Sequence, residues 1–391
     1  MRFPEFSGEW EMERLDEIAT LSKGIGISKE QLSNDGEPCI LYGELYTKYK
    51  SEIIKQIDSK TNIDNSKLKR SKANDVIIPC SGETAVDIAT ARCVPFDNIL
   101  LGGDLNVISL HQYDGAFMSY QLNGKRKYDI AKVAQGVSVV HLYGEHLKAI
   151  TTCNPCLQEQ QKIAKLLSLL DERIATQNKI IEDLKKLKSA IIDYTFDNKN
   201  QSHRKRILLS DVSAKITRRN TDNQIFNVLS NSANQGIIPQ SEVFDREIAN
   251  ENNTSNYFVI SQNDFVYNPR KSVTAPYGPI NRYNGETDGV ISPLYLCFRC
   301  YDIDVEYLGW YFKSDSWHKY VYQNGDTGVR HDRVSIKDEI FFLMPLYLHS
   351  AEEQMEIAKR LNKIESFVSQ EEQYLFLLRS QKLYLLQQMF I

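Results

Sequence analysis

Two pairs of cysteines have the spacing that metal sites use: Cys153-Asn-Pro-Cys156 and Cys297-Phe-Arg-Cys300. Four thiolates could hold a tetrahedral zinc. The gap between the pairs is far longer than in compact zinc modules, and neither pair is flanked by glycine-rich knuckles. Cys297 and Cys300 lie in Leu294–Tyr301, which reads as a strand, so residues three apart point to opposite faces. No metal site is expected. The seven histidines are scattered, and His141 and His146, five apart, fall off one helical face. Phosphate-binding and zinc-protease motifs are missing: Asn123-Gly-Lys-Arg126 lacks the first glycine and the hydroxyl residue, Gly24-Ile-Gly26 stops after two glycines, and there is no HExxH. What remains is cationic. Lys67, Lys69, Arg70 and Lys72 form one cluster, and Lys125-Arg126-Lys127 a second. Arg218-Arg219, Arg270-Lys271 and Arg330-His331-Asp332-Arg333 are further clusters. Such runs meet an anionic partner or simply form a solvated face.

The 391 residues suit two or three domains. Hydrophobic residues at 42% and charged residues at 25% are a globular composition. Lys and Arg number 47 against 51 Asp and Glu, a net charge of −4, so no overall positive field marks a nucleic-acid binder. Residues 1–152 carry 18 basic and 21 acidic residues, and residues 203–350 carry 16 and 17. Any polyanion must therefore meet cations sorted onto one face. The densest apolar run, Phe341–Leu348, is broken by Pro345 and falls short of the ~20 residues a membrane span needs. MRFPEFSGEW has no apolar signal core, and seven cysteines, an odd number, argue against a disulfide scaffold. A soluble cytoplasmic protein is expected.

An internal repeat organises the chain. Glu159-Gln-Gln-Lys-Ile-Ala-Lys165 matches Glu353-Gln-Met-Glu-Ile-Ala-Lys359 at five of seven positions, with an offset of 194. Apolar residues then recur at heptad spacing: Ile163, Leu167, Leu170, Ile174, Ile181, Leu184 and Ile191. Adding 194 gives Ile357, Leu361, Ile364, Val368, Leu375, Leu378 and Leu385. Even the interruptions repeat, Gln177 with Glu371 and Lys188 with Lys382. Over this length an ordinary 3.6-residue stripe would drift by roughly 80° from a strict heptad. The pattern predicts a coiled coil, and the simplest partner for each helix is the other, antiparallel.

Segments before the helices are weakly parallel. Leu15–Ile18 matches Leu209–Val212, Asn74–Pro79 matches Asn263–Asn268, and Ala134–Ser138 matches Asp326–Arg330. The layout is a first domain (1–152), a central helix and linker (153–202), a second domain (203–350) and a C-terminal helix (351–391). Strands are expected at Val76–Ile78, Ile99–Leu101, Val137–Leu142, Phe258–Ile260, Leu294–Phe298 and Ile340–Leu343.

This layout resembles the specificity subunit of type I restriction–modification systems over nearly the whole chain. The opening Arg2-Phe-Pro-Glu-Phe-Ser-Gly-Glu-Trp10 with Leu15–Ile18 looks like that family's usual start. Ser81-Gly-Glu-Thr84, Gln135-Gly-Val-Ser138 and the Pro155…Glu159-Gln160…Ile163-Ala164 helix start look like its landmarks. The resemblance implies an α+β fold, with two mixed α/β target-recognition domains separated by two long antiparallel coiled-coil helices in a pseudo-twofold repeat. It implies a non-catalytic DNA-binding subunit that recognises a bipartite asymmetric site for phage defence. Two modification subunits would bind the helices and methylate adenine N6 with S-adenosylmethionine. Restriction subunits using ATP and Mg would join them, and this chain would bind no cofactor itself. In agreement, Asn268-Pro269-Arg270 departs from the methylase Asn-Pro-Pro-aromatic motif.

DNA contacts are expected where cations stand on Gly-rich or aromatic loops, because backbone can approach the duplex closely there. In the first domain these are Ser81, Gly82, Arg92, Arg126, Gln135 and Ser138. In the second they are Arg219, Arg270, Lys271, Tyr277, Arg330, His331 and Arg333. Arginine can bind guanine O6 and N7, and Asn or Gln can read adenine. The 29 residues 163–191 would span about 43 Å, or roughly 13 base pairs. The competing readings are a coiled-coil scaffold with two ligand-binding domains and no DNA role, and an enzyme with an unrecognised site.

Overall fold

The computed structural model describes residues 2–64, 66–136, 138–197, 204–242, 254–326 and 332–390. The chain divides into two compact units, Met1–Ile180 with Glu371–Ile391, and Ile181–Gln370.

In the first unit, Glu11–Arg14 pairs antiparallel with Thr151–Asn154. A four-stranded antiparallel sheet follows in the order Ala19–Lys23, Leu105–Leu110, Asp75–Pro79, Arg92–Val94. A second, mixed sheet is built around Glu37–Ile40, which runs parallel to Leu100–Leu101. The central strand Asp75–Pro79 is apolar on both faces because both are covered. Val76 and Ile78 face the cluster of Leu15, Ile108, Met118 and Leu122, while Ile77 faces Ile40, Leu101 and Val107.

The second unit repeats this scheme. Lys205–Leu208 pairs with Pro345–Leu348, each 194 residues after its first-unit counterpart. The four-stranded sheet runs Ser213–Lys215, Leu296–Cys300, Phe265–Tyr267, Ile280–Arg282, and Val228–Ser232 runs parallel to Gly289–Ile291. Cys297 and Cys300 lie on one strand and pack into different clusters on its two faces, as their spacing predicts.

Register aligns the units residue by residue. Ile77 pairs with Val107 and Arg92; Val266 pairs with Cys297 and Asn281. Arg92 and Asn281 are therefore equivalent, and counting four residues on from Ile77 and Val266 aligns Ser81 with Arg270. Ile40 and Leu229, opposite Leu101 and Ile291, align Tyr42 with Asn231.

The helices Leu157–Phe196 and Ala351–Gln388 run beyond the expected seams. Every seam residue is buried or half-buried. Within the first unit Gln177 donates to the main-chain oxygen and carboxylate of Glu371, its own repeat mate, and Lys382 reaches Asp171. Within the second, Lys188 meets Glu365. Numbers that rise on one helix fall on the other, so the pairing is antiparallel.

The shared Glu-Gln motif docks each helix onto its unit. Gln160 Oε1 accepts from the Asp114 amide (2.9 Å), and its amide donates to Pro155 O (2.8 Å). Gln354 repeats this with the Asp304 amide (3.3 Å) and His349 O (2.9 Å). Asp114 and Asp304 in turn cap the helices Gly115–Asn123 and Val305–Tyr311.

One expected strand is corrected. Ile340–Leu343 falls at the end of a helix, Asp338–Phe342, and the strand begins at Pro345. An apolar run without alternation does not separate helix from strand. Asp338 and Glu339 favour a helix start here. The other expected strands form, although Leu294–Phe298 shifts to Leu296–Cys300; of Val137–Leu142, Val140–His141 is a strand and Val137 lies outside the described residues.

Candidate nucleic-acid interface

In the first unit the Ser81–Gly82 strand pairs antiparallel with Val140–His141. Gln135 and His141 exchange main-chain hydrogen bonds of 2.9 and 2.7 Å, closing a hairpin over Ser138. Gly136 turns that hairpin at φ +123°, where a Cβ would stand 2.1 Å from Val139 O. Tyr46 OH donates to Ser81 O (2.9 Å), and Ser81 Oγ donates to Asp104 (3.2 Å). A cleft of about 730 Å³ opens beside the pair, lined by Tyr42, Tyr46, Ser81, Gly82, Arg92 and Ser138 among others.

Four of the six expected first-unit residues thus line one cleft, and Gln135 stands at its hairpin. Arg92 enters the cleft wall but is turned inward. Its Nε donates to Tyr49 O (3.0 Å) and an Nη to Ala91 O (2.9 Å). Burial lowers its pKa, opposed by Glu52 and Asp171. Arg126 is not brought to this surface. Its side chain is mostly covered and lies 3.7 Å from Asp129 at the start of the helix Lys127–Val133.

Sequence reasoning missed three neighbours. His141 is exposed and stacks on exposed Tyr143 with ring centroids 6.2 Å apart. Lys23 Nζ lies 5.7 Å from the Tyr143 ring centre, in cation–π range. The signal was available: His141 follows the Gln135–Ser138 landmark, and Lys23 ends a strand before Gly24-Ile25-Gly26.

In the second unit Arg270 forms an antiparallel bridge with Arg333, the counterpart of the Ser81–His141 pairing. Lys271 N donates to Asp332 O (2.8 Å) and Val334 N to Pro269 O (2.9 Å), so these residues form one paired strand segment. Asp326 and Ser335 form a further antiparallel bridge. Arg330 and His331 lie outside the described residues. The Pro269–Gly278 loop is pinned by a turn between Ser272 and Ala275, and by Gly278 at φ +82°, where a Cβ would meet Asn268 O at 2.1 Å. Val273 at its tip is fully exposed. Tyr277 packs on His318 and Tyr322 and is half-buried. Arg219 lies over Phe258, 5.5 Å from the ring centre. Phe258 shares a cleft of about 230 Å³ with Pro269 and Val334, the neighbours of Arg270 and Arg333. Arg270, Lys271 and Arg333 thus share one paired segment, while Arg219 lies over Phe258 of the neighbouring cleft.

Burial pushes the Cys297 and Cys300 thiols up to about 12, which disfavours the thiolate a metal needs. No group of His, Cys, Asp and Glu able to hold a metal occurs among the described residues. Among those residues no helix is long and apolar enough to cross a membrane.

The family model of the type I restriction modification DNA specificity domain matches residues 7–186. No curated protein matches the chain. Among solved structures, the S subunit of a type I restriction-modification system from M. genitalium is 15% identical, with a TM-score of 0.58 over 100% of this chain and 99% of that one. A chain solved in work on complex assembly and conformational transition of the type I R-M system is also 15% identical, with a TM-score of 0.58 over 98% and 97%. At such identity these two likenesses show a shared fold over both units. Residues 7–186 thus resemble the type I restriction modification DNA specificity domain, and the chain shares the fold of these two solved structures.

Proposed function

We propose that each unit reads one half of a bipartite, asymmetric DNA site, and that the chain directs adenine N6-methylation and restriction by partner subunits. The observation that carries this reading is the duplicated strand pair with unlike chemistry. Ser81 and His141 stand in one unit where Arg270 and Arg333 stand in the other. A duplicated frame with divergent edges suits two different half-sites. Arg270 and Arg333 offer guanidinium groups to guanine or phosphate; the first unit offers hydroxyls, imidazole and Lys23.

In this reading the paired helices act as the spacer that sets the unread gap of the DNA site. Two modification subunits bind them, and exposed apolar residues such as Leu169, Leu187, Phe367, Phe376 and Leu383 support this. S-adenosylmethionine belongs to those subunits, and ATP with Mg to the restriction subunits. The complex works in the cytoplasm on chromosomal and invading DNA.

The test is mapping of N6-methyladenine across the host genome with and without the gene. One motif of two short blocks around a fixed gap should vanish with the gene; an unchanged methylome would sink the proposal. Adding one heptad to both helices lengthens them by about 10 Å and should widen the gap by about three base pairs.

A further inference from the structure

The second unit buries an asparagine network that the first unit lacks. Asn231 and Asn281 are 2% and 4% exposed. Asn281 Nδ2 donates to Asn231 Oδ1 (2.6 Å) and to Ser232 O (3.0 Å). Asn231 Nδ2 donates to Val266 O (2.7 Å) and lies 3.4 Å from Pro279 O. The main-chain oxygen of Asn231 accepts from Asn268 Nδ2 (2.9 Å), and Asn268 Oδ1 accepts from the Arg270 amide (3.0 Å). From outside, Lys313 Nζ donates to Asn281 Oδ1 (2.5 Å). The network thus runs from the strand Ile280–Arg282, through the strand Val228–Ser232, to the main chain that carries Arg270. Its far end, Pro279, also closes the same loop: Asn268 N donates to Pro279 O (3.0 Å).

A feature the fold required would recur in the repeat. The register equivalents of Asn231 and Asn281 are Tyr42 and Arg92, and these line the open first-unit cleft. Pro79 stands at the equivalent of Asn268 and has no side-chain donor. Buried amides cost free energy unless every group is paired, and a fully paired network fixes one arrangement. Here it fixes the root of the loop Pro269–Gly278.

We infer that Asn231, Asn268 and Asn281 are positioning residues that set the pose of the Pro269–Gly278 loop and so determine the selectivity of the second unit for its half-site. The inference rests on the proposed DNA reading. None of the three need touch DNA. They act through Arg270 and Lys271, whose placement must be good to a fraction of an ångström for bidentate contact.

The test uses the full chain assembled with its modification subunits. The half-site whose selectivity falls on Arg270→Ala identifies the one read by the second unit. Asn281→Ala, outside the loop itself, should reduce discrimination against a substituted base in that half about tenfold, the worth of a good bidentate contact. Discrimination in the other half should stay unchanged, which general destabilisation would not achieve. Hydrogen exchange of the amides at 270–278 should rise in parallel. Asn268→Asp keeps the acceptor for the Arg270 amide but loses the donor to Asn231, and should give a smaller relaxation; it serves if Asn281→Ala does not fold. Selectivity within twofold of wild type in the folded variants, with unchanged exchange, overturns the positioning role alone. A wild-type complex with no selectivity in either half overturns the DNA reading and this inference with it.

Discussion

Lys382 and Lys188 are repeat mates on the two long helices, and their surroundings differ sharply. Lys382 faces two carboxylates, Glu52 at 2.5 Å and Asp171 at 2.6 Å, with side chains only 9% and 6% exposed. Tyr120 OH (2.6 Å) and Ser51 Oγ (3.0 Å) complete the Asp171 shell. Burial raises the Glu52 pKa, and Lys382 opposes it. Among the described residues Lys188 meets one carboxylate, Glu365, which is 47% exposed. The interruption of the heptad is shared, but among the described residues only the first unit has built an internal ionic lock around it. The repeat preserves how each unit grips its helices and leaves free what else surrounds the grip.

The largest contrast follows from this. Lys382→Met strips the cation from two buried carboxylates and should cost about 3–5 kcal/mol. Lys188→Met breaks a partly exposed pair and should cost below about 1 kcal/mol. Denaturant unfolding of each variant checks it. Similar costs would mean that the first-unit lock is as solvated as its mate.

The recognition edges should break the symmetry next. Arg270→Ala or Arg333→Ala should weaken cognate binding by about 1–3 kcal/mol and relax one half-site, if the arginine reads a base. If it contacts phosphate only, binding weakens at all sequences and the salt dependence becomes shallower. In the first unit Tyr143→Ala should act on the other half-site, and more weakly, since Tyr143 offers a ring and not a bidentate fork. Competition binding across singly substituted sites separates these outcomes. If both variants relax the same half, one unit does not read one half-site.

The frame was legible in the sequence because it repeats. The heptads, their shared defects and the Glu-Gln motif are one-dimensional signals, and the structure places all of them as an antiparallel pair docked through Gln160 and Gln354. The segments Ser81–Gly82 and Asn268–Gly278 were also legible, because Gly and Pro mark them. What the sequence hid was direction. Arg92 and Arg126 look like surface cations, yet one is spent on the carbonyls of Tyr49 and Ala91 and the other is covered beside Asp129. Lys23 and Tyr143 are 120 positions apart, and only strand pairing brings them together. The asparagine network was invisible for the same reason, since its three members come from separate segments, two on strands and Asn268 just past a third.

The smallest contrast is the most telling control. Gln160 and Gln354 each accept from the amide of a helix-capping aspartate and donate to a carbonyl just before their own helix. Removing either leaves an amide and a carbonyl, at least partly buried, without a partner, at about 1–3 kcal/mol. Gln160→Ala should cost slightly more than Gln354→Ala, because its bond to the aspartate amide is 2.9 Å against 3.3 Å. The two costs should otherwise agree, within about 1 kcal/mol, in thermal unfolding of the full chain. Near-equality is what a docking device shared by both repeats requires. A large gap would show that the units grip their helices by different means, and the 194-residue correspondence would then describe ancestry of sequence without equivalence of mechanics.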